Sequence, residues 1–174
     1  MRCHDWCRIF FCKMKEKEIY NELLSKLKRY CKYQERCKSD VESKLSALDV
    51  PDKIKELIIH KLSEKEFFNN KRFSSEYVVG KFRNNNWGKI KIRFNLKCKR
   101  IEKETIDEAL KKIPEDEYSS TFNEIAKKEW IKRKNLNLST RRRRFSNTLQ
   151  SRGWEFYLIK DFIAEQIKNK DLID

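Results

Sequence analysis

Four cations, Lys89, Arg93, Lys97 and Arg100, follow one another at steps of four, four and three residues. On a helix that spacing gathers them into one sector of roughly 80°. No acid lies between Trp87 and Ile101. A face that only confers solubility usually mixes signs and gains i, i+4 pairs, so an acid-free sector points to contact with phosphate or with an acidic surface. The alternative is a plain solvated face. A second basic group lies further along, where Lys132, Arg133 and Lys134 precede the run Arg141, Arg142, Arg143 and Arg144. Four successive arginines span roughly 300° of a helix, so at least two must reach outward. The run falls at an expected helix start, where the helix dipole disfavours cations, and this again suggests a compensating partner. A localisation-signal-like patch and a solvent face are the other readings.

Residue types for covalent or acid–base chemistry are missing from useful spacings. The chain has three glycines, one of them in Arg152-Gly153, which nearly excludes a phosphate-cradling loop. No nucleophile elbow, paired metal-binding histidines or polar triad is visible. His60 lies in an apolar-rich helical stretch with no Cys or Ser at motif spacing and reads as structural. Catalytic, cofactor and metal residues are therefore expected to be absent, and the protein is expected not to be an enzyme. Cys3, Cys7 and Cys12 with His4 could supply four zinc ligands, but their spacing matches no common zinc module. The simpler reading sets residues 1–14 aside as an N-terminal extension, non-native or disordered, because Met14 is followed by a charged run and then by clean helical periodicity. Cys31, Cys37 and Cys98 are scattered through helical pattern, as reduced thiols are. Trp87, Trp130 and Trp154 could stack on bases. Each lies on the apolar side of its expected helix, which favours core packing.

The elements that must position these groups are helices. Only three Gly and two Pro occur in 174 residues, against 42 Lys plus Arg and 27 Asp plus Glu, a formal charge of +15 and a pI near 9.6. That composition predicts an all-α chain with a polyanionic partner. Leu45/Val50, Leu96/Ile101 and Leu149/Trp154 share a five-residue step. Each pair leads into apolar residues at i, i+3 and i+4, namely Ile54, Leu57 and Ile58, then Ile106, Ala109 and Leu110, then Ile159, Phe162 and Ile163. The leucines recur after 51 and 53 residues. Such a period predicts three tandem three-helix repeats, here 15–66, 67–113 and 114–170, stacked as an elongated array. The expected helix starts are the Ser39–Glu42 capping box, Pro51, Asn69, Trp87, Pro114 and Ser139. On the Trp87 helix two apolar flanks, Trp87, Ile90, Phe94 and Cys98 on one side and Ile92 and Leu96 on the other, suit a unit wedged between neighbours. No apolar run approaches the roughly 18 residues of a membrane span, and no signal-peptide pattern is present, so a cytoplasmic monomer is expected.

Taken in order, several stretches resemble the RecX regulatory family. They are Arg29-Tyr30-Cys31 to Glu35-Arg36 with Ser39, Phe67-Phe68-Asn69 to Arg72-Phe73, Lys81-Phe82-Arg83, Trp87-Gly88-Lys89-Ile90-Lys91-Ile92 with Leu96, and Arg152-Gly153-Trp154. The resemblance covers about Ile19 to Ile167. Where the family often has glycine before the third helix of its first two units, this chain has Asp49 and Arg100. The resemblance implies a bacterial protein of three three-helix repeats in a curved array. It would bind the RecA recombinase filament, contact RecA subunits and single- or double-stranded DNA without sequence preference, and suppress recombinase, ATPase and coprotease activity. The basic residues named above would then be the RecA- or DNA-binding set. The alternative from the residues alone is a sequence-independent DNA-binding helical module acting without RecA.

Overall fold

The structure is a computed structural model that describes residues 3–171, with side chains over 16–168. Among the described residues it is all-helical. Nine helices follow in order: α1 (Cys3–Tyr33), α2 (Lys38–Ser46), α3 (Asp52–Glu64), α4 (Asn70–Asn85), α5 (Lys89–Cys98), α6 (Lys103–Leu110), α7 (Glu115–Ile131), α8 (Leu138–Ser151) and α9 (Phe156–Asp171). The side chains of Cys3, His4, Cys7 and Cys12 lie outside those described. No helix among the described residues is long and apolar enough to cross a membrane. The chain divides into two compact units, Met1–Phe73 and Ser74–Asp174, with the division falling inside α4.

In the first unit, α1 and α2 each pack on α3. The core is Leu23, Leu27, Cys31, Val41, Leu45, Ile54, Ile58 and Leu62. The helical spacing of these residues puts one apolar stripe from each helix inside. Leu57 is an exception, lying 53% exposed. The α2 start differs from the capping-box expectation. Cys37 is the N-cap, without a side-chain cap bond, and the Lys38 amide instead donates to Asn70 Oδ1 at 3.1 Å. At α4 the expected cap forms, with Asn69 Oδ1 accepting from the Lys71 and Arg72 amides at 2.9 and 3.1 Å.

In the second unit, α5 packs on α6, and α7, α8 and α9 pack on one another. Its centre is aromatic, with Tyr118 and Trp154 ring centroids 4.7 Å apart, Phe122 and Trp154 at 5.4 Å, and Phe145 and Phe162 at 5.4 Å. Trp130 and Trp154 are core residues.

The five-residue step seen in the sequence has a structural cause in two of its three copies. The Ile101 amide donates to the Leu96 carbonyl at 3.2 Å and the Trp154 amide to the Leu149 carbonyl at 3.1 Å. The residue before each is left-handed, Arg100 at φ 57° and Gly153 at φ 83°. Each is a Schellman C-cap, whose first and last residues pack together and are therefore apolar. Leu45 and Val50 do not form one, since the Val50 amide donates to Leu48. The corresponding cap in the first unit closes α3, where Phe67 donates to Leu62 at 2.9 Å and Glu66 sits at φ 48°.

Candidate polyanion interface

The amino end of α5 is assembled from the third repeat. A helix start leaves its first amides without intrahelical partners, and here the Gly88 amide donates to the Arg152 carbonyl at 2.9 Å and the Ile90 amide to the Gly153 carbonyl at 3.2 Å. Between them, the Lys89 amide donates to the Tyr118 hydroxyl at 3.0 Å, which donates in turn to Glu155 Oε2 at 2.6 Å. Lys91 Nζ reaches the Ser151 carbonyl at 3.0 Å, and Trp154 Nε1 donates to the Asn86 carbonyl at 3.2 Å. The two backbones touch so closely that a Cβ at Gly88 would fall on the Gly153 carbonyl, and one at Gly153 on the Lys91 backbone. Trp87-Gly88 and Arg152-Gly153-Trp154 are thus the two sides of one joint. Burial and the Glu155 hydrogen bond push the Tyr118 phenol far above its usual range.

This joint sets the orientation of α5, and with it the first basic sector. Its residues do not act as one free stripe. Lys89 Nζ pairs with Glu115 at 2.7 Å and lies over the Tyr118 ring. Arg93 pairs with Asp107, whose carboxyl is held below its usual range by that hydrogen bond. Acid-free sequence around α5 therefore does not mean an acid-free surface, because α6 and α7 supply the carboxylates. Lys97 and Arg100 are exposed. The expected apolar flank also differs. Ile92 and Leu96 are buried, but Ile90 is 53% and Phe94 65% exposed, and Cys98 is exposed beside them. Trp87 is half-buried, with Lys81 Nζ 5.2 Å and Lys91 Nζ 4.5 Å from its ring centre.

The second basic group divides differently. Asn137, rather than Ser139, caps α8, its Oδ1 accepting from the Thr140 amide at 2.9 Å. Arg141 turns inward, with its guanidinium 4.0 Å from the Trp130 ring centre and donating to the Trp130 carbonyl at 2.9 Å. Burial lowers its pKa. Arg133 is also occupied. Its Nη1 bonds Glu129 Oε2 at 2.5 Å and its Nη2 bonds Thr148 Oγ1 at 2.9 Å. Burial raises the Glu129 pKa, but the Arg133 bond and the charges of Arg133, Arg152 and Lys132 outweigh it and hold the carboxyl low. Lys132, Lys134, Arg142, Arg143 and Arg144 are exposed and have no ion-pair partner among the described residues. The sequence between Trp130 and Trp154 holds no Asp or Glu. Between the α7–α8 connection and α8 runs an open groove of about 540 Å³, lined among others by Lys132, Asn135, Arg144, Asn147 and Thr148. The amides and the hydroxyl of this groove were not among the residues singled out from sequence. The signal for Asn147 and Thr148 was their i+3, i+4 spacing from Arg144, which shares a helix face, whereas Asn135 lies in the α7–α8 connection and had none.

His60 is exposed and lies 3.4 Å from Glu64, on the surface of α3 and not in its core. No cluster of three or more His, Cys, Asp or Glu that could hold a metal occurs among the described residues.

The architecture is an all-helical one of three-helix units with a cationic third repeat. Residues 69–110 match the family model of the second three-helix domain of RecX. Regulatory protein RecX of Bacillus velezensis is 30% identical over 146 residues, covering 82% of this chain and 54% of the relative. That of Bacillus pumilus is 29% identical over 139 residues, covering 78% and 52%. A crystal structure of regulatory protein RecX superposes with a TM-score of 0.75 at 23% identity, over 87% of this chain and 76% of the other. RecX from Lactobacillus salivarius gives 0.69 at 24% identity, over 88% and 96%. The resemblance to the RecX family therefore holds in sequence and in fold. The chain spans about half the length of the curated relatives it matches.

Proposed function

We propose that this chain is a non-enzymatic regulator that binds the RecA–DNA filament and lowers recombinase, ATPase and coprotease activity. The observation that carries the reading is the cationic surface of the third repeat. Five exposed lysines and arginines without an ion-pair partner among the described residues stand in a stretch with no acid. Such a surface repels itself until a polyanion neutralises it. The RecX resemblance supplies the filament as that polyanion's context. Bridging neighbouring subunits while holding phosphates would hinder filament extension and the entry of a second DNA.

The test is the ATPase rate of RecA on single-stranded DNA as this protein is added from well below one copy per RecA, at two salt concentrations. Inhibition far below stoichiometry, weakening steeply with salt, is the expected result. Inhibition only when the protein saturates the DNA would replace this reading with a sequence-independent DNA-binding module that needs no RecA.

A further inference from the structure

We propose that the groove between the α7–α8 connection and α8 is a built phosphate site, with Lys132 and Arg144 as its two charged arms and Asn135 and Asn147 as neutral hydrogen-bond donors. The inference rests on the phosphate contact of the regulatory reading and deepens it, and its own test needs no RecA.

Three observations converge on it. The first is how charge is distributed within the repeat. Of the basic residues around the groove, Arg133 and Arg141 are held by Glu129 and by the Trp130 ring and carbonyl, whereas Lys132 and Arg144 have no ion-pair partner among the described residues and line the cavity. The second is rigidity. The Arg133 guanidinium spans from Glu129 on α7 to Thr148 on α8, and the Thr148 hydroxyl donates to the Arg144 carbonyl at 2.9 Å. Arg133 is thus a positioning residue that ties both walls together, and its own charge is neutralised. The third is the lining itself. Asn135 and Asn147 bring amide donors, and the lining contains no carboxylate to repel an anion. Guanidinium, ammonium and amide N–H donors around one open cavity are the groups that bind phosphate oxygens. About 540 Å³ accommodates a phosphodiester segment or the phosphate tail of a free nucleotide.

The experiment uses the full chain and three variants, K132E/R144E, N135A/N147A and R142E/R143E. The last alters the same number of charges outside the groove lining. Binding of a labelled 20-nucleotide single strand is followed by fluorescence anisotropy across salt, alone and with pyrophosphate or ATP as competitor. The groove predicts about a tenfold or greater loss for K132E/R144E, with a salt slope shallower by about 0.7 per lost phosphate contact. N135A/N147A should weaken binding about threefold without changing that slope, since neutral donors release no counterions. R142E/R143E should lose less than K132E/R144E. If millimolar pyrophosphate displaces the strand from the parent but not from K132E/R144E, the groove takes a free phosphate group as well as the strand; if it fails to displace it, the groove holds the strand backbone alone. Equal losses for the two charge-reversal variants, together with no effect of N135A/N147A, would overturn the site and leave diffuse electrostatics. RecA ATPase measured on the same variants separates this outcome from failure of the regulatory reading. A parent that binds through the groove but leaves RecA untouched refutes only the latter.

Discussion

Arg100, Glu66 and Gly153 occupy the same left-handed position at the ends of three helices, and only one of them is glycine. An L side chain there crowds its own carbonyl at a cost of about 1–2 kcal/mol, partly offset by the greater freedom glycine has when unfolded. Glu66→Gly should therefore stabilise the first unit by about 0.5–1 kcal/mol, read as a higher urea midpoint. The opposite holds at the joint. Gly88→Ala and Gly153→Ala each push a methyl into backbone that cannot retreat, and should cost about 2–3 kcal/mol by thermal unfolding. Tyr118 ties the stability of the second unit to alkaline pH. Its folded pKa lies above the unfolded value of 10.0, so the stability it contributes is complete below pH 10 and declines as pH rises past it. Tyr118→Phe should flatten that decline, which urea titrations at pH 9 and above would record. At this scale much was legible. The Asn69 cap, the Pro51 and Pro114 helix starts and the Leu–apolar step are local chemistry. The departure noted at Arg100 is a left-handed residue, whereas Asp49 is not. The Ser39 box failed because α2 starts earlier than that box requires, with Cys37 at the N-cap and Ser39 already inside the first turn, and the Lys38 amide there is met by Asn70, 32 residues away.

Helices α5 and α8 invert what their sequences suggest. The α5 sector looked uncompensated because its acids, Asp107 and Glu115, arrive on other elements. The arginine run of α8 looked uniform, but Arg141 is turned inward by Trp130. Neither outcome follows from periodicity, which reports a face and not what is packed beside it. Lys89→Met with Arg93→Met should change DNA affinity less than twofold, since both charges are already paired, whereas Arg142→Met with Arg143→Met should weaken it about fivefold in the same anisotropy assay at low salt. Ile90 and Phe94 make the matching point for apolar residues. Their spacing predicts burial on a wedged helix, but within the second unit Ile92 and Leu96 are the buried residues of α5 while Ile90 and Phe94 stay more than half exposed.

At the scale of the chain, the charge of +15 survives folding as an uneven surface, because pairing removes cations from α5 and leaves them around α8. If five phosphates are engaged there, log affinity should fall with log salt at a slope of about −3.5 to −4.5, and a slope near −1 would show that most of the cations stay in solvent. The all-α class and the tandem repeat were readable from composition and period. What was not readable is that the second and third repeats complete one another. During synthesis the donors of Gly88 and Ile90 leave the ribosome more than 60 residues before the carbonyls of Arg152 and Gly153 that accept them. Until then the Gly88 and Ile90 amides at the start of α5 have only water for a partner. A stretch translated later therefore finishes a helix made well before it, and a chain stopped short of Arg152 would carry a middle repeat whose first turn has only the Tyr118 hydroxyl to close on.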